Sequence, residues 1–260
     1  MYAEYLDFAV EVAREAGAIQ TEHFRRGDLG VETKSNVYDV VTRVDKECES
    51  LIARRLAERY PDHALLGEEG GERGQAGSSW RWVVDPLDGT TNYSQGLPVF
   101  TVSIALQHNG ETVVGVVYAP YLDELFTAVK GGGARLAARG HEPREIRVSS
   151  KSDLSTAVLA TGFPYDKAVN TDNNLDNLSR ILPRIRGLRR MGSAAYDLAC
   201  VAAGLLDGFW ELALHEWDVC AGELIVAEAG GLVEILRENR GVSIVAGNPT
   251  LVGAMRQYVR

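Results

Sequence analysis

The chain has 260 residues, a hydrophobic content of 45% and a formal net charge of −9 at pH 7. This length allows one large domain or two closely packed ones, and the hydrophobic content is sufficient for a sizeable core. The acidic balance argues against broad nucleic-acid binding, which usually requires a basic face. It does not exclude a polyanionic substrate, because bound cations can reverse the field of an acidic site.

The sequence shows no signal peptide and no apolar run long enough to cross a membrane, and its N-terminus is acidic. We therefore expect a cytoplasmic protein without a membrane partner. The three cysteines, Cys48, Cys200 and Cys220, are odd in number and lack metal-ligand spacing. Such cysteines indicate reduced thiols.

The first 150 residues predict two helices followed by strands. Helices are expected from Tyr2 to about Arg25 and from near Val44 to Tyr60, where Pro61 ends the second. Glycines and polar residues predict a loop from Gly27 to Tyr38. Strands are expected at 64–67, 81–84, 100–106, 112–118 and 124–129.

The pattern shifts near residue 150, which predicts an N-terminal half (1–150) and a C-terminal half (151–260). The second half is expected to contain strands near 157–160, 187–191, 207–212, 232–235 and 243–246, and helices within 173–183, at 194–203, at 219–229 and from 249. No Pro- or Ser-rich linker separates the halves. We therefore expect them to pack intimately, with the functional site at their junction.

The most informative segment follows the short apolar strand Trp82-Val83-Val84 and reads Asp85-Pro-Leu-Asp88-Gly-Thr-Thr. Two carboxylates three positions apart, around a proline turn, can reach one small volume, as hard divalent cations require. The Gly89-Thr-Thr step offers amides and hydroxyls that suit a phosphate oxygen. The same residues can also form an ordinary turn. Together, however, the metal and phosphate ligands suggest phosphoryl chemistry.

Two further acidic clusters accompany this segment. Gly67-Glu68-Glu69-Gly70 ends a short apolar run, where glutamates are ordinarily solvated. Glu211 precedes the sequence Trp217-Asp218, just before a predicted helix, where an aspartate ordinarily caps the N-terminus. Each cluster alone is ambiguous, but three in a fixed order are far more specific.

In this order the three segments resemble the signature motifs of the inositol monophosphatase family. Its members are metal-dependent, lithium-sensitive sugar phosphatases. The motifs are a Gly-Glu-Glu element, an Asp-Pro-x-Asp-Gly-Thr-x-Asn element and a late Trp-Asp-x-x-Ala-Gly element, and the resemblance spans about Asp45 to Gly231. It implies a mixed α+β (α/β) fold arranged as a layered αβαβα sandwich. It also implies a homodimer and two or three Mg²⁺ ions in each site.

The resemblance also implies the roles of individual residues. The metal ligands would be Glu68, Asp85, Asp88, Asp218 and the main-chain carbonyl of Leu87. The phosphate would be held by Gly89, Thr90 and Thr91, close to Asp88 and Asp218. The hydroxyls of the sugar would be contacted by Glu211 and by the turn Gly192, Ser193 and Ala194.

Catalysis would depend on a smaller set. The Thr90 hydroxyl, paired with Asp45, would orient the attacking water beside Glu68. Lys34 corresponds to a lysine on a mobile loop that closes over the metals. The candidate site contains no histidine or cysteine nucleophile, which agrees with direct attack by a metal-activated water.

The resemblance leaves several substrates open. The compact length and Glu211 favour myo-inositol monophosphate, and fructose 1,6-bisphosphate, alone or as a second activity, is the main rival. Histidinol phosphate and phosphoadenosine phosphate are other substrates within the superfamily. A non-catalytic phosphate-sensing or interaction protein is the alternative of another class. The intact set of water-activating residues disfavours it.

Three remaining features have ordinary explanations. Gly131-Gly-Gly133 lacks the Walker pattern and indicates a surface turn. His215 is expected to be a packed histidine, with substrate contact as the alternative. The basic run Arg184, Arg186, Arg189 and Arg190 is expected to be solvated. The alternative for this run is an anion-binding or subunit-contact role.

Overall fold

The computed structural model describes residues 2–260. Its helices are α1 (Ala3–His23), α2 (Arg43–Arg59), α3 (Thr90–Ser94), α4 (Leu175–Ile181), α5 (Ala194–Ala202), α6 (Glu216–Glu228) and α7 (Pro249–Met255). Its strands are β1 (Glu32–Thr33), β2 (Val40–Val41), β3 (Ala64–Gly67), β4 (Gly71–Gly74), β5 (Trp80–Asp88), β6 (Thr101–His108), β7 (Glu111–Ala119), β8 (Glu124–Val129), β9 (Ala134–Ala138), β10 (Arg144–Glu145), β11 (Val158–Thr161), β12 (Gly187–Arg189), β13 (Gly208–Leu214), β14 (Leu232–Arg237) and β15 (Val242–Gly247).

The larger sheet has eight strands in the order β10-β9-β8-β7-β6-β5-β3-β4. Helices α1 and α2 pack on one of its faces, against β5, β6 and β7. Helices α5 and α6 cover the opposite face. The strands alternate their side chains between these two helical layers, so both faces of the sheet are apolar and buried.

The smaller sheet has five strands in the order β12-β11-β13-β15-β14. Along β15, Ile244 and Ala246 pack toward α5 and α6, whereas Val245 packs toward α7. The layers are therefore helices, larger sheet, helices, smaller sheet and helices. This arrangement confirms the predicted αβαβα sandwich. All strands of the larger sheet precede residue 150, and all strands of the smaller sheet follow it. The division of the chain into two halves at that residue stays a prediction.

Several elements differ from the prediction. Strand β5 does not end before Pro86 but continues to Asp88, with a bulge between Asp85 and Asp88. Proline is tolerated there because a bulged position needs no ladder hydrogen bond. The predicted loop 27–38 includes β1 of a two-stranded hairpin. Strands β4, β9 and β10 and helix α3 were not predicted. They are short or lack a clear alternating pattern.

The structure also bears on the glycine turn, the cysteines and the absence of a predicted membrane-spanning segment. The N–H groups of Gly131 and Gly133 donate to the carboxylate of Glu228 at 2.7 and 2.8 Å. An internal acid therefore occupies the site where a phosphate would lie in a nucleotide loop. All three cysteines are free and buried. None of the helices within residues 2–260 is long and apolar enough to cross a bilayer.

Candidate active site

The N-terminus of α2 places a buried carboxylate beside the central motif. Thr42 and Asp45 form a reciprocal capping box, which fixes the first turn of the helix. Asp45 is fully buried, and its Oδ1 accepts a hydrogen bond from the Thr90 hydroxyl at 2.8 Å. The same hydroxyl lies 3.0 Å from the carbonyl oxygen of Leu87. Because a hydroxyl has one proton, it can donate to only one of these acceptors at a time.

The end of β5 delivers the two aspartates of the central motif. Asp85 is 2% exposed, and its Oδ1 accepts from the backbone N–H of Leu87 at 2.9 Å. Gly89 then adopts φ 97°, and a Cβ there would lie 3.0 Å from the carbonyl oxygen of Val99. Only glycine suits this conformation and close approach. The chain can therefore turn directly from the strand into α3 and present Thr90 to the pocket.

Asp88 connects the end of the larger sheet to helix α5. Its Oδ2 accepts from the Ser193 hydroxyl at 2.6 Å and from the Ala195 N–H at 2.8 Å, at the start of α5. A carboxylate there compensates the unpaired N–H groups and positive dipole of the helix N-terminus. The Asn92 amide strengthens the junction by donating to the carbonyls of Val99 and Met191.

Glu68 lies at the rim of the same pocket, after β3. The Lys34 ammonium contacts its Oε1 at 2.7 Å and also binds the carboxylate of Glu69. Lys34 lies in the loop that connects β1 and β2, and its backbone N–H donates to the carbonyl oxygen of Asp39. The structure therefore brings the predicted loop lysine onto the acidic turn, while its role in catalysis stays a prediction.

The C-terminal half of the chain contributes Glu211 from β13 and Asp218 from the first turn of α6. Asp218 Oδ2 accepts from the backbone N–H of His215 at 2.7 Å, so the helix begins at residue 216 rather than 219. His215 packs with its ring stacked on that of Trp217, 4.7 Å between ring centroids, but its side chain is 52% exposed and also lines the pocket. A Cβ at Gly162 would lie 1.9 Å from Glu211 Oε1, so Gly162 provides the space for this carboxylate.

The acidic groups of the pocket strongly influence one another. Burial is the largest cause that raises the pKa of Asp85 and Asp88, and the charges of neighbouring carboxylates raise both further. Burial also raises the pKa of Glu68, and the Lys34 charge opposes this shift. Burial raises the pKa of Glu211 to about 8, and the Arg190 charge opposes that increase. The pocket therefore concentrates negative charge that a bound cation would stabilise.

Most predicted residues do line one pocket. The predicted residues in its wall are Glu68, Asp85, Leu87, Asp88, Gly89, Thr90, Gly192, Ser193, Ala194, Glu211 and Asp218. Asp45 lies behind Thr90, and Lys34 lies on Glu68. Thr91 is exposed and does not line this pocket, while its expected part in holding the phosphate stays a prediction. Its exposure follows from the helical turn of α3, which directs consecutive side chains in different directions.

Other wall residues were not predicted as site residues. Phe163, Pro164 and Tyr165 follow β11 and line the pocket opposite the central motif. Their position depends on how the smaller sheet packs against the rest of the molecule. The local sequence does not indicate that they reach the pocket. Arg190 also lines the pocket, although it was assigned to a solvated basic run. It is exposed, and it has no hydrogen-bond or ion-pair partner in the described part of the chain.

The acidic residues of the pocket form an incomplete set of ligands for Mg²⁺. Within residues 2–260, no three Asp, Glu, His or Cys side chains converge closely enough to enclose a metal ion by themselves. The acids instead line an open pocket beside the carbonyl of Leu87. Mg²⁺ normally keeps several waters and binds through one or two carboxylates together with substrate phosphate. An open set of hard oxygen donors therefore fits Mg²⁺ as a partial shell rather than as a complete cage.

Comparison with known proteins decides the family. A sequence model of the inositol monophosphatase family matches residues 1–257. The chain belongs to this family. The Nus factor SuhB of Escherichia coli K12 is 41% identical over 259 residues, which cover 98% of this chain and 95% of that protein.

Solved structures of the family have the same fold. Inositol monophosphatase from Anabaena (Nostoc) is 38% identical, with a TM-score of 0.87 over 99% of this chain and 95% of that one. Inositol monophosphatase II of Staphylococcus aureus, solved with inositol monophosphate bound, is 28% identical. Its TM-score is 0.79 over 99% of this chain and 93% of that one. The layered fold and the family are therefore shown independently by sequence and by structure.

Proposed function

We propose that this protein is a Mg²⁺-dependent phosphatase that hydrolyses myo-inositol monophosphate to inositol and phosphate. The observation that carries this proposal is that four acids line one open pocket, beside the Thr90–Asp45 pair and Glu211. The four acids are Glu68, Asp85, Asp88 and Asp218. The family and the relative solved with inositol monophosphate support the choice of substrate.

The candidate ligands of Mg²⁺ are these four acids and the carbonyl oxygen of Leu87. When bound, Mg²⁺ neutralises phosphate charge and lowers the pKa of a coordinated water. The open pocket allows the phosphate to supply oxygen ligands that the protein does not. Asp85 and Asp88 are held by backbone or side-chain hydrogen bonds, so the chain fixes these carboxylates in advance.

The Thr90–Asp45 pair provides orientation for the nucleophile. When the Thr90 hydroxyl donates to Asp45, its oxygen can accept a hydrogen bond from a water in the pocket. Asp45 also accepts from the N–H of Thr42 at 2.9 Å, which holds the carboxylate in place. The backbone of the Gly89-Thr90 turn would bind the phosphate, and Glu211 would accept hydrogen bonds from ring hydroxyls; all three residues line the pocket.

The test of the proposal is phosphate release from inositol 1-phosphate, with Mg²⁺ and with EDTA. The panel should include histidinol phosphate and phosphoadenosine phosphate. We expect the inositol ester to have the highest kcat/KM and to require Mg²⁺. Release that is independent of the metal, or a preference for another ester, would contradict the proposal.

A second candidate substrate is fructose 1,6-bisphosphate, and Arg190 is the observation that supports it. The Arg190 side chain lies in the pocket wall, without an ion-pair partner in the described part of the chain, and its charge acts on Glu211. An exposed guanidinium of this kind can bind a second phosphate through two hydrogen bonds. Arg190→Gln should then raise KM for the bisphosphate and leave KM for inositol 1-phosphate unchanged. Arg186→Gln, in the same basic run, is the matched control.

Other properties implied by the family resemblance stay predictions. A homodimer is tested by sedimentation, and inhibition by Li⁺ is tested by titration at fixed ionic strength.

The relatives named Nus factor SuhB suggest a second, protein-binding role, because that name does not describe a phosphatase. The two roles are separable. A variant without metal-dependent hydrolysis should retain any binding surface that lies outside the pocket.

A further inference from the structure

Glu49 binds the acidic turn from behind. Its side chain is 2% exposed, and Oε2 accepts a hydrogen bond from the Glu69 N–H at 2.7 Å. Its Oε1 accepts from Arg73 Nη2 at 2.6 Å. The turn that carries Glu68 is therefore held on one side by Glu49 and on the other by Lys34.

Glu49 also lies one helical turn after Asp45 on α2, so both buried carboxylates project from the same face of that helix. Asp45 holds Thr90, and Glu49 holds the backbone of Glu69. One rigid helix therefore contacts both segments that supply acids to the larger-sheet side of the pocket. This arrangement fixes the distance between those segments.

The contacts of Glu49 explain the two glycines that flank the glutamates. A Cβ at Gly67 would lie 2.6 Å from Glu49 Oε2, and a Cβ at Gly70 would lie 1.2 Å from Arg73 Nη2. Arg73 reaches Glu49 by passing over Gly70. The space that side chains at these two positions would occupy is filled by the ion pair. The Gly-Glu-Glu-Gly pattern therefore reflects the packing of Glu49 and Arg73.

We propose that Glu49 and Arg73 are positioning residues that hold Glu68 in the orientation required to bind Mg²⁺. The inference rests on the proposed metal-dependent function. A buried carboxylate without a counter-charge is strongly unfavourable. Loss of Arg73 would leave Glu49 with only backbone donors, and the carboxylate would move toward water. The Glu69 backbone, and with it Glu68, would lose its support.

An effect of the Arg73 charge alone would change metal affinity in the opposite direction. Arg73 is a cation near a cation site, so its removal should strengthen metal binding if only its charge matters. The positioning role predicts weaker binding. The sign of the change in metal affinity therefore distinguishes the two explanations.

The experiment measures the binding of Mn²⁺ alone, without substrate, from the electron paramagnetic resonance signal of the free ion. The variants are Arg73→Met and Gly70→Ala, and the matched control is Arg54→Met, which removes an exposed arginine from α2. Hydrogen exchange of the amides of residues 67–70 provides a readout that does not depend on metal. Thermal melting in EDTA verifies that each variant is folded.

We expect Arg73→Met and Gly70→Ala each to raise the Mn²⁺ Kd by about tenfold. Both should speed amide exchange in residues 67–70, while Arg54→Met matches the wild type. In a Glu49→Gln background, Arg73→Met should add little, because the two residues act as one unit. Tighter or unchanged Mn²⁺ binding by Arg73→Met would overturn the inference while leaving the phosphatase proposal intact. Absence of Mn²⁺ binding by the wild type would instead contradict the proposed function itself.

Discussion

The Thr90 hydroxyl lies 2.8 Å from Asp45 Oδ1, which joins residues 45 positions apart in the chain. Both side chains are buried, and the carboxylate comes from the first turn of α2. Burial raises the pKa of Asp45, and hydrogen bonds from Thr42 and Thr90 oppose that shift. The carboxylate is thus held at one end of a short hydrogen-bond chain that ends in the pocket.

Thr90→Val tests this chain of hydrogen bonds. The change keeps the shape of the side chain but removes the hydroxyl, so the water loses its oriented acceptor. We expect kcat to fall by roughly a hundredfold or more, the range that positioned proton acceptors provide. Asp45 would still accept from Thr42, so the fold should persist. The control is Ser94→Ala, at a position on α3 that does not line the pocket. A similar loss in both variants would point to damage of α3 rather than to catalysis.

Lys34→Ala tests the loop lysine. Lys34 neutralises Glu68 and Glu69, so it competes with a cation for the same carboxylate oxygens. We nevertheless expect the Mg²⁺ concentration at half-maximal activity to rise, because the turn that carries Glu68 loses one of the contacts that hold it. Turnover should also fall if the loop helps to assemble the site. The matched control is Lys46→Ala, which breaks an exposed ion pair with Glu32. If both variants have wild-type kinetics and metal dependence, the loop has no catalytic role.

Glu211→Gln tests recognition of the polyol. Above pH 8, where Glu211 is ionised, the change keeps the size of the side chain but weakens a charge-assisted hydrogen-bond acceptor for ring hydroxyls. It should cost about 1–3 kcal/mol in specificity for inositol 1-phosphate. Hydrolysis of an aryl phosphate, which lacks those hydroxyls, should change far less. An equal loss on both substrates would mean that Glu211 supports the metal site instead.

Asp197→Asn tests an unpaired buried acid next to the site. Asp197 is 1% exposed, and its Oδ1 has no hydrogen-bond partner within residues 2–260. Burial raises its pKa well above the ordinary value, and the charges of Glu211 and Asp88 add to the increase. The folded protein therefore keeps a proton that the unfolded chain releases near pH 4, so stability falls as the pH rises above that value.

The neutral asparagine has no proton to lose, so the variant avoids this loss of stability. We expect the Tm of Asp197→Asn relative to wild type to increase between pH 5 and pH 8, measured in EDTA. Asp7→Asn, at an exposed position on α1, should show no such trend. A Tm difference that is constant with pH would show that Asp197 is not protonated in the folded state.

The sequence predicted the parts of the site that are encoded locally. Asp85, Asp88 and Gly89 lie within five consecutive residues, so their proximity follows from chain connectivity alone. The alternating and helical patterns likewise predicted the long elements, because a face buried on a large sheet requires them. The ordered motifs then connected these segments to distant Glu68 and Asp218 through resemblance to a family.

The remaining contacts depend on tertiary packing. Glu49 contacts the Glu69 backbone only because α2 lies against the end of β3, and nothing near Glu49 in the sequence marks it as part of the site. Tyr165 reaches the pocket through a loop whose course is set by the smaller sheet. Pro86 indicated the end of a strand by local rules, but the strand continues through a bulge. Such features require the three-dimensional arrangement of elements that are distant in the chain.

The most direct test of metal-dependent hydrolysis is phosphate release from inositol 1-phosphate by the wild type and by Asp88→Asn across a Mg²⁺ titration. Asparagine keeps an oxygen that can accept from Ser193 and Ala195, so the Tm in EDTA should change little. Removal of the negative ligand should lower turnover at limiting Mg²⁺ by roughly a hundredfold, which corresponds to about 3 kcal/mol. Wild-type turnover that persists in EDTA, or undiminished turnover of the folded variant at limiting Mg²⁺, would contradict the assignment.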